Sequence, residues 1–191
     1  MKIIPLITIK KGELLTSDFN KIIKDTLDKY KDKILYLYDL DGINRNKPNL
    51  CLFQKLSKTH ELWVDAGPRS IGDIVDAIVS GASKITIRLD LFELSDILSI
   101  NEILENEIYL SITDKNNSKH NNIKKNLDIL KLVNDKIISK IENKYKNLLD
   151  FLDEESYIYI SSKNDVKKIK TNISGYIIDI EKIEEYKNIG I

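Results

Sequence analysis

The chain has a single cysteine, only two histidines, three prolines and seven glycines in its 191 residues. One cysteine excludes an internal disulfide, and Cys51 sits in the apolar helical run NLCLFQKL, where a free thiol acts as a small hydrophobe. No stretch rich in proline, glycine or serine divides the sequence, and its length suits one domain spanning residues 1–191. The histidines, His60 and His120, have no serine or cysteine partner at an identifiable spacing, so they read as ordinary polar residues. No metal and no cofactor is expected. An excess charge of either sign is also missing. Thirty Lys plus Arg balance thirty Asp plus Glu, which leaves no overall field to draw nucleic acid or an anionic membrane. The lysine clusters IKK, KKNLDILK and VKKIK lie beside acids and amides and read as solvated helix faces. Long hydrophobic runs are absent too. The amino-terminal MKIIPLITIKKGEL is too short and too charged for a secretory core or a membrane span, which makes the cytoplasm the expected location.

What is present is an alternation. Short β-branched or aromatic runs fall at 3–8, 34–40, 61–66, 84–89, 107–113, 136–141, 157–162 and 175–180, with amphipathic segments near 17–31, 49–58, 70–81, 92–105, 120–134, 143–154, 164–171 and 181–188. Ser17, Asn49, Ser70 and Asn164 suit helix starts, and Gly81 suits a helix end. Strand–helix pairs in this order predict an α/β fold, a compact, trimmed (β/α)8 TIM barrel. KIISKI (136–141) decides between closure and its alternatives: as a helix it would leave an open barrel or a doubly wound sheet. A faint internal repeat, ELWVDAGPRSIGDIVDAIVSGASKITIRL over SYIYISSKNDVKKIKTNISGYIIDI, agrees with the barrel. Trp63, Tyr36, Tyr38, Tyr157 and Tyr159 alternate along strands and are expected between barrel and helices. The polar DKNNSKHNN (114–122) reads as a loop.

Two stretches carry candidate chemistry. In ELWVDAGPRS a strand ends in Asp-Ala-Gly and meets a helix, the layout of a phosphate-holding turn: Gly67 keeps the turn open, Arg69 supplies charge and Ser70 caps the helix whose amino end faces the anion. In YDLDGINRNKPN, Asp39 and Asp41 share one face at a strand's end, with Gly42 releasing the chain into a loop. Such a pair can hold a metal or ribose hydroxyls, or it can hold Arg45 and Lys47.

KIIPLITIKKGEL, LYLYDLDGINRNKPN and VDAGPRSIGDIVDAIVSGASKITI together resemble the histidine-biosynthesis barrels, the phosphoribosylformimino aminoimidazole carboxamide ribotide isomerases and their cyclase relatives. The likeness covers about the first ninety residues and is nearest to the uncharacterised relatives in which the Gly-Gly-Gly-Ile-Arg turn becomes Asp-Ala-Gly followed by Arg. It implies a (β/α)8 barrel of two half-barrels. It also implies an acid at the end of the first strand and another at the end of the fifth, where this chain has Thr8 and Thr113, with Asp114 next to the latter. Threonine does not titrate near neutral pH and cannot replace a tuned carboxylate. The family's second phosphate site reads SSKND and IIDIE here, and Asp179 would repel a phosphate. Arg88 stands where the family has a Gly-Thr pair. It either clamps a phosphate or carboxylate or neutralises Asp65 in a salt bridge. The likeness implies a site role for Asp41 and Asn49, leaves Asp39 and Asp41 as the acid–base candidates, and gives Gly67, Arg69, Ser70, Arg88 and Asp65 as the ligand-binding set. The expected partner is a small phosphorylated or carboxylated metabolite, and the reaction, if there is one, an isomerase or lyase type. The alternative is a non-catalytic binding or assembly protein that kept the barrel.

Overall fold

Apart from the short β2, which flanks β1, the chain pairs its strands in sequence order. A computed structural model describes residues 2–15, 29–30, 33–88, 90–92, 96, 100, 107–112, 137–140, 156–160 and 173–187, with 112 and 137–140 described in backbone alone. The strands are β1 (Lys2–Lys10), β2 (Glu13–Leu15), β3 (Ile34–Asp39), β4 (Glu61–Asp65), β5 (Ala82–Arg88), β6 (Glu107–Ile112), β7 (Ile137–Lys140), β8 (Tyr157–Ile160) and β9 (Gly175–Asp179). Between them lie α1 (Leu40–Arg45), α2 (Leu50–Leu56), α3 (Ile71–Val79) and, after a short 3-10 turn at Ile180–Lys182, α4 (Ile183–Lys187). None of the described helices is long and apolar enough to cross a membrane.

β2 folds back antiparallel on β1 through a turn at Lys11 and Gly12, both at positive φ. Every other neighbouring pair is parallel, from β1 with β3 through to β8 with β9. β9 in turn lies against β1, with Lys2 opposite Gly175 and Leu6 opposite Asp179, so the sheet curls back to its first strand. Residues 137–140 are a strand paired on both sides, which settles KIISKI against helix. The expected helices at 49–58, 70–81 and 181–188 are present with shorter bounds. Those at 120–134, 143–154 and 164–171, and most of 17–31 and 92–105, lie outside the described residues.

Alternate residues on β1, β3, β4, β5, β6, β8 and β9 separate into two largely apolar sets, as the two-residue period demands. One set, including Ile7, Leu35, Leu37, Leu62, Val64 and Ile85, is covered by Phe53 and Leu56 of α2, Ile74 and Ala77 of α3, and Ile183 and Tyr186 of α4. The other set, Ile4, Leu6, Tyr36, Trp63, Tyr109 and Ile177, with Tyr38, Tyr157 and Tyr159 against it, forms its own cluster on the concave face. The strand aromatics therefore fill the inside of the curl, not the layer under the helices. Both faces of a helix-covered parallel sheet are apolar, so alternation alone cannot say which side is inner. Trp63 packs edge-on to Tyr36 and Tyr157, with ring centroids 5.3 and 4.9 Å away, and 4.0 Å from Tyr109. At the amino ends of the strands, Lys84 Nζ lies 3.0 Å from Glu107 and 3.7 Å from Glu61, and the Tyr109 hydroxyl donates to Glu107.

Two local expectations change. The segment after Asp39 is helix α1 and not a loop, because the Asp39 side chain caps it by accepting from the Asp41 and Gly42 N–H groups. Cys51 is exposed on α2, turned away from the buried Phe53 and Leu56.

Candidate functional site

The carboxyl end of β4 delivers the DAGPR turn. Gly67 has φ +61°, and a Cβ there would lie 2.9 Å from Ile43 Cα and from Leu91 Cδ1, so glycine serves a turn packed down on its neighbours. Arg69 is spent locally: its guanidinium donates to the Gly42, Ile43 and Gly67 carbonyls and to Asn46 Oδ1, at 2.8–3.3 Å. Two of those carbonyls belong to α1, whose carboxyl end a cation suits. Ser70 caps α3 by accepting from the Asp73 N–H at 3.2 Å, while Asp73 Oδ2 accepts from the N–H groups of Arg69 (2.8 Å) and Ser70 (3.1 Å). The amino end of α3 thus already holds an anion, the chain's own Asp73 carboxylate. The S-x-x-D spacing of a capping box signalled this in the sequence.

Asp39 and Asp41 are also engaged. Asp39 is fully buried on the helix-covered face, and its two oxygens accept from Asp41 N, Gly42 N, Asn49 N and Asn49 Nδ2. Burial raises its pKa, and these donors oppose the rise. Asp41 accepts from Gly12 N at 2.9 Å, from Asn49 Nδ2 at 3.1 Å and from Arg45, tying the β1–β2 turn to α1. The Gly12 N–H is the main reason its carboxyl sits well below the usual range. Asn49 therefore bridges the two aspartates.

A depressed carboxylate stabilises the fold above its unfolded pKa of about 3.9 and loses that contribution as pH falls toward the folded value. Asp41→Asn is therefore expected to lower the urea midpoint at pH 7 and to weaken the drop in stability below about pH 4. Parallel pH profiles for parent and variant would remove Asp41 from this role.

On the concave face, the residues two beyond the aromatic layer form a polar ring: Thr8, Tyr38, Asp65, Arg88, Ser111 and Asp179. Thr8 stands opposite Tyr38, Tyr38 opposite Asp65, and Arg88 opposite Ser111. Arg88, 7% exposed, donates to Asp65, 1% exposed, from Nε at 2.9 Å and from Nη2 at 2.7 Å. Of the two readings left open by sequence, the salt bridge is the one seen. The Tyr36 hydroxyl donates to Asp65 Oδ2 at 3.1 Å and lies 3.3 Å from Thr86 Oγ1, which also accepts from Trp63 Nε1 at 3.0 Å. Burial alone would lower the Arg88 pKa, but the Asp65 carboxylate more than reverses that, so Arg88 is held charged. Thr8, Tyr38, Tyr159 and Asp179 are half-buried, so solvent reaches this end of the curl.

Ser111 was not foreseen, although counting two residues on from Tyr109 would have placed it beside Arg88. Thr113, Asp114, His120 and the SSKND segment (161–165) lie outside the described residues. No group of three or more His, Cys, Asp or Glu among the described residues could hold a metal ion. A cavity of about 490 Å³ opens at the opposite end, by Lys2, Ile4, Tyr30, Lys33, Ile34 and Glu61.

The sequence matches no family profile and no curated protein. Among solved structures the chain is similar to the YdjI aldolase from Escherichia coli K12, with a TM-score of 0.54 over 95% of this chain and 77% of that one, at 12% identity. Identity that low makes this a likeness of fold, TIM-barrel-like, and the resemblance to the histidine-biosynthesis barrels rests on the sequence segments alone.

Proposed function

We propose that the chain is a single-domain, trimmed (β/α)8 TIM barrel, diverged from the histidine-biosynthesis isomerases, that binds a small phosphorylated or carboxylated metabolite at the carboxyl ends of its strands. The observation that carries this reading is Arg88, a buried guanidinium on the concave face whose Nε and Nη2 are fixed by Asp65. Its Nη1 has no hydrogen-bond acceptor among the described residues. A buried, oriented cation at a barrel mouth is a binding group in waiting. The histidine-biosynthesis isomerase reaction itself is not part of the proposal, because the first-strand acid that the likeness implies is Thr8 here; a different phosphosugar isomerase or a lyase is the reaction type proposed. Asp39 and Asp41, the remaining acid–base candidates, are saturated by donors of their own chain. The aldolase likeness adds a lyase assay beside an isomerase one, and supports it through fold alone.

The second reading, a non-catalytic binding or assembly protein, is favoured by Asp73 filling the amino end of α3. A thermal-shift screen with phosphosugars, inorganic phosphate and small carboxylates tests both. A ligand at a hundred times its dissociation constant should add about 2.7 kcal/mol of stability. Arg69→Ala should lower the basal melting temperature and leave that ligand shift intact. A screen in which nothing stabilises the protein would turn the conclusion to the assembly reading.

A further inference from the structure

We propose, on the above reading of the carboxyl-end site, that its ligand is a hydroxy-carboxylate monoanion and not a phosphate, held by Arg88 Nη1 and the hydroxyls of Ser111, Thr8 and Tyr38. Both parts of the phosphate turn are engaged within the chain, the amino end of α3 by Asp73 and Arg69 by the carbonyls of Gly42, Ile43 and Gly67. Among the described side chains, the other cations near this end are spent or outside: Arg45 is paired with Asp41, and Lys10 is exposed on the β1–β2 hairpin.

Arg88 remains, and its charge is matched by Asp65 at 2.7 Å. A dianion at this mouth would meet a pair with no net charge, and Asp179 beyond it, so its desolvation would go uncompensated. A carboxylate has a lighter requirement. Guanidinium carries five N–H donors in a planar fork, and Asp65 takes two of them, leaving an edge that fits a second carboxylate side by side. Asp65 has already immobilised that edge, so the ligand need not order it.

Hydroxyls complete the site. Ser111 is 4% exposed, sits opposite Arg88 on the neighbouring strand, and has no hydrogen-bond partner among the described residues. A buried hydroxyl left unpaired is costly and calls for an explanation, and a ligand oxygen supplies one. Thr8 and Tyr38, opposite one another across β1 and β3, present two more hydroxyls without a partner among the described residues, and Tyr38 lies with its ring 5.2 Å from the Arg88 guanidinium carbon. One cation edge and three hydroxyls match a carboxylate with hydroxyls on adjacent carbons.

The test is calorimetric titration of the full chain with glycerate, inorganic phosphate and glycerol, repeated with Ser111→Ala. Arg88 variants endanger the fold, whereas Ser111 gives up no hydrogen bond among the described residues. Expected are binding of glycerate alone, a roughly tenfold loss of its affinity in Ser111→Ala, and an unchanged or raised melting temperature in that variant. Phosphate binding in place of glycerate would overturn the ligand class while leaving an anion site at the barrel mouth. Glycerate binding that ignores Ser111→Ala would overturn the placement. Binding of none of the three, together with no hit in the wider screen, would overturn the metabolite reading itself.

Discussion

Arg88→Ala should destabilise the protein by about 3–5 kcal/mol, the cost of leaving one partner of a buried ion pair without the other. Asp65 has almost no exposure, and its two oxygens take hydrogen bonds from Arg88 and Tyr36. With Arg88 gone, the Tyr36 hydroxyl is the one donor left to the carboxylate among the described residues, and the charge then must be neutralised or hydrated inside the curl. The pair itself is a weaker contributor than this loss suggests, because its desolvation offsets much of its attraction. Replacing both partners, as in Asp65→Leu with Arg88→Met, is therefore expected to recover most of the stability. Urea unfolding of the two single variants and the double variant measures the coupling. A single variant costing under about 1 kcal/mol would show that the pair is not buried as described.

Gly175→Ala should cost about 3 kcal/mol, at the upper end for overpacking. A Cβ at residue 175 would overlap the Lys2 carbonyl oxygen and lie 3.0 Å from its carbon. These are backbone atoms of β1, opposite Gly175 in the register that joins the last strand to the first. No side-chain rotation relieves such a clash, so the amino end of that seam has to part. Gly72→Ala is the control, since its Cβ meets nothing nearer than Ser70 Oγ at 3.6 Å. Thermal melts that rank the two variants equally would mean that β9 and β1 do not meet as described.

The strands were readable because each is a short β-branched or aromatic run, and even KIISKI obeys that rule where a helical flank could have absorbed it. Helix α1 was not, because Asp-Gly after a strand reads as a turn, and the cap that makes it a helix comes from Asp39, the last strand residue. Cys51 follows a similar logic. It lies two residues from Phe53, roughly 200° around the helix, so an apolar window hid an exposed position. At the candidate site, sequence named Asp65 and Arg88 but left their relation open. What decides it is that both occupy the same ring of the concave face, a fact of strand stagger that no local pattern encodes. Arg69 and Ser70 show the converse. Their spacing imitates a phosphate cradle, and Asp73, three residues on, is the anion that completes it.

The aromatic interior has an optical consequence. The chain's one tryptophan, Trp63, is 1% exposed, hydrogen-bonded to Thr86 and ringed by Tyr36, Tyr109 and Tyr157. A shielded indole emits at shorter wavelength than a hydrated one, and tyrosines this near pass their excitation to it. Fluorescence of the unlabelled protein is thus a single-site gauge of the interior of the curl. Because Trp63 and Arg88 are joined through Thr86, Tyr36 and Asp65, a ligand bound at Arg88 is expected to shift its emission.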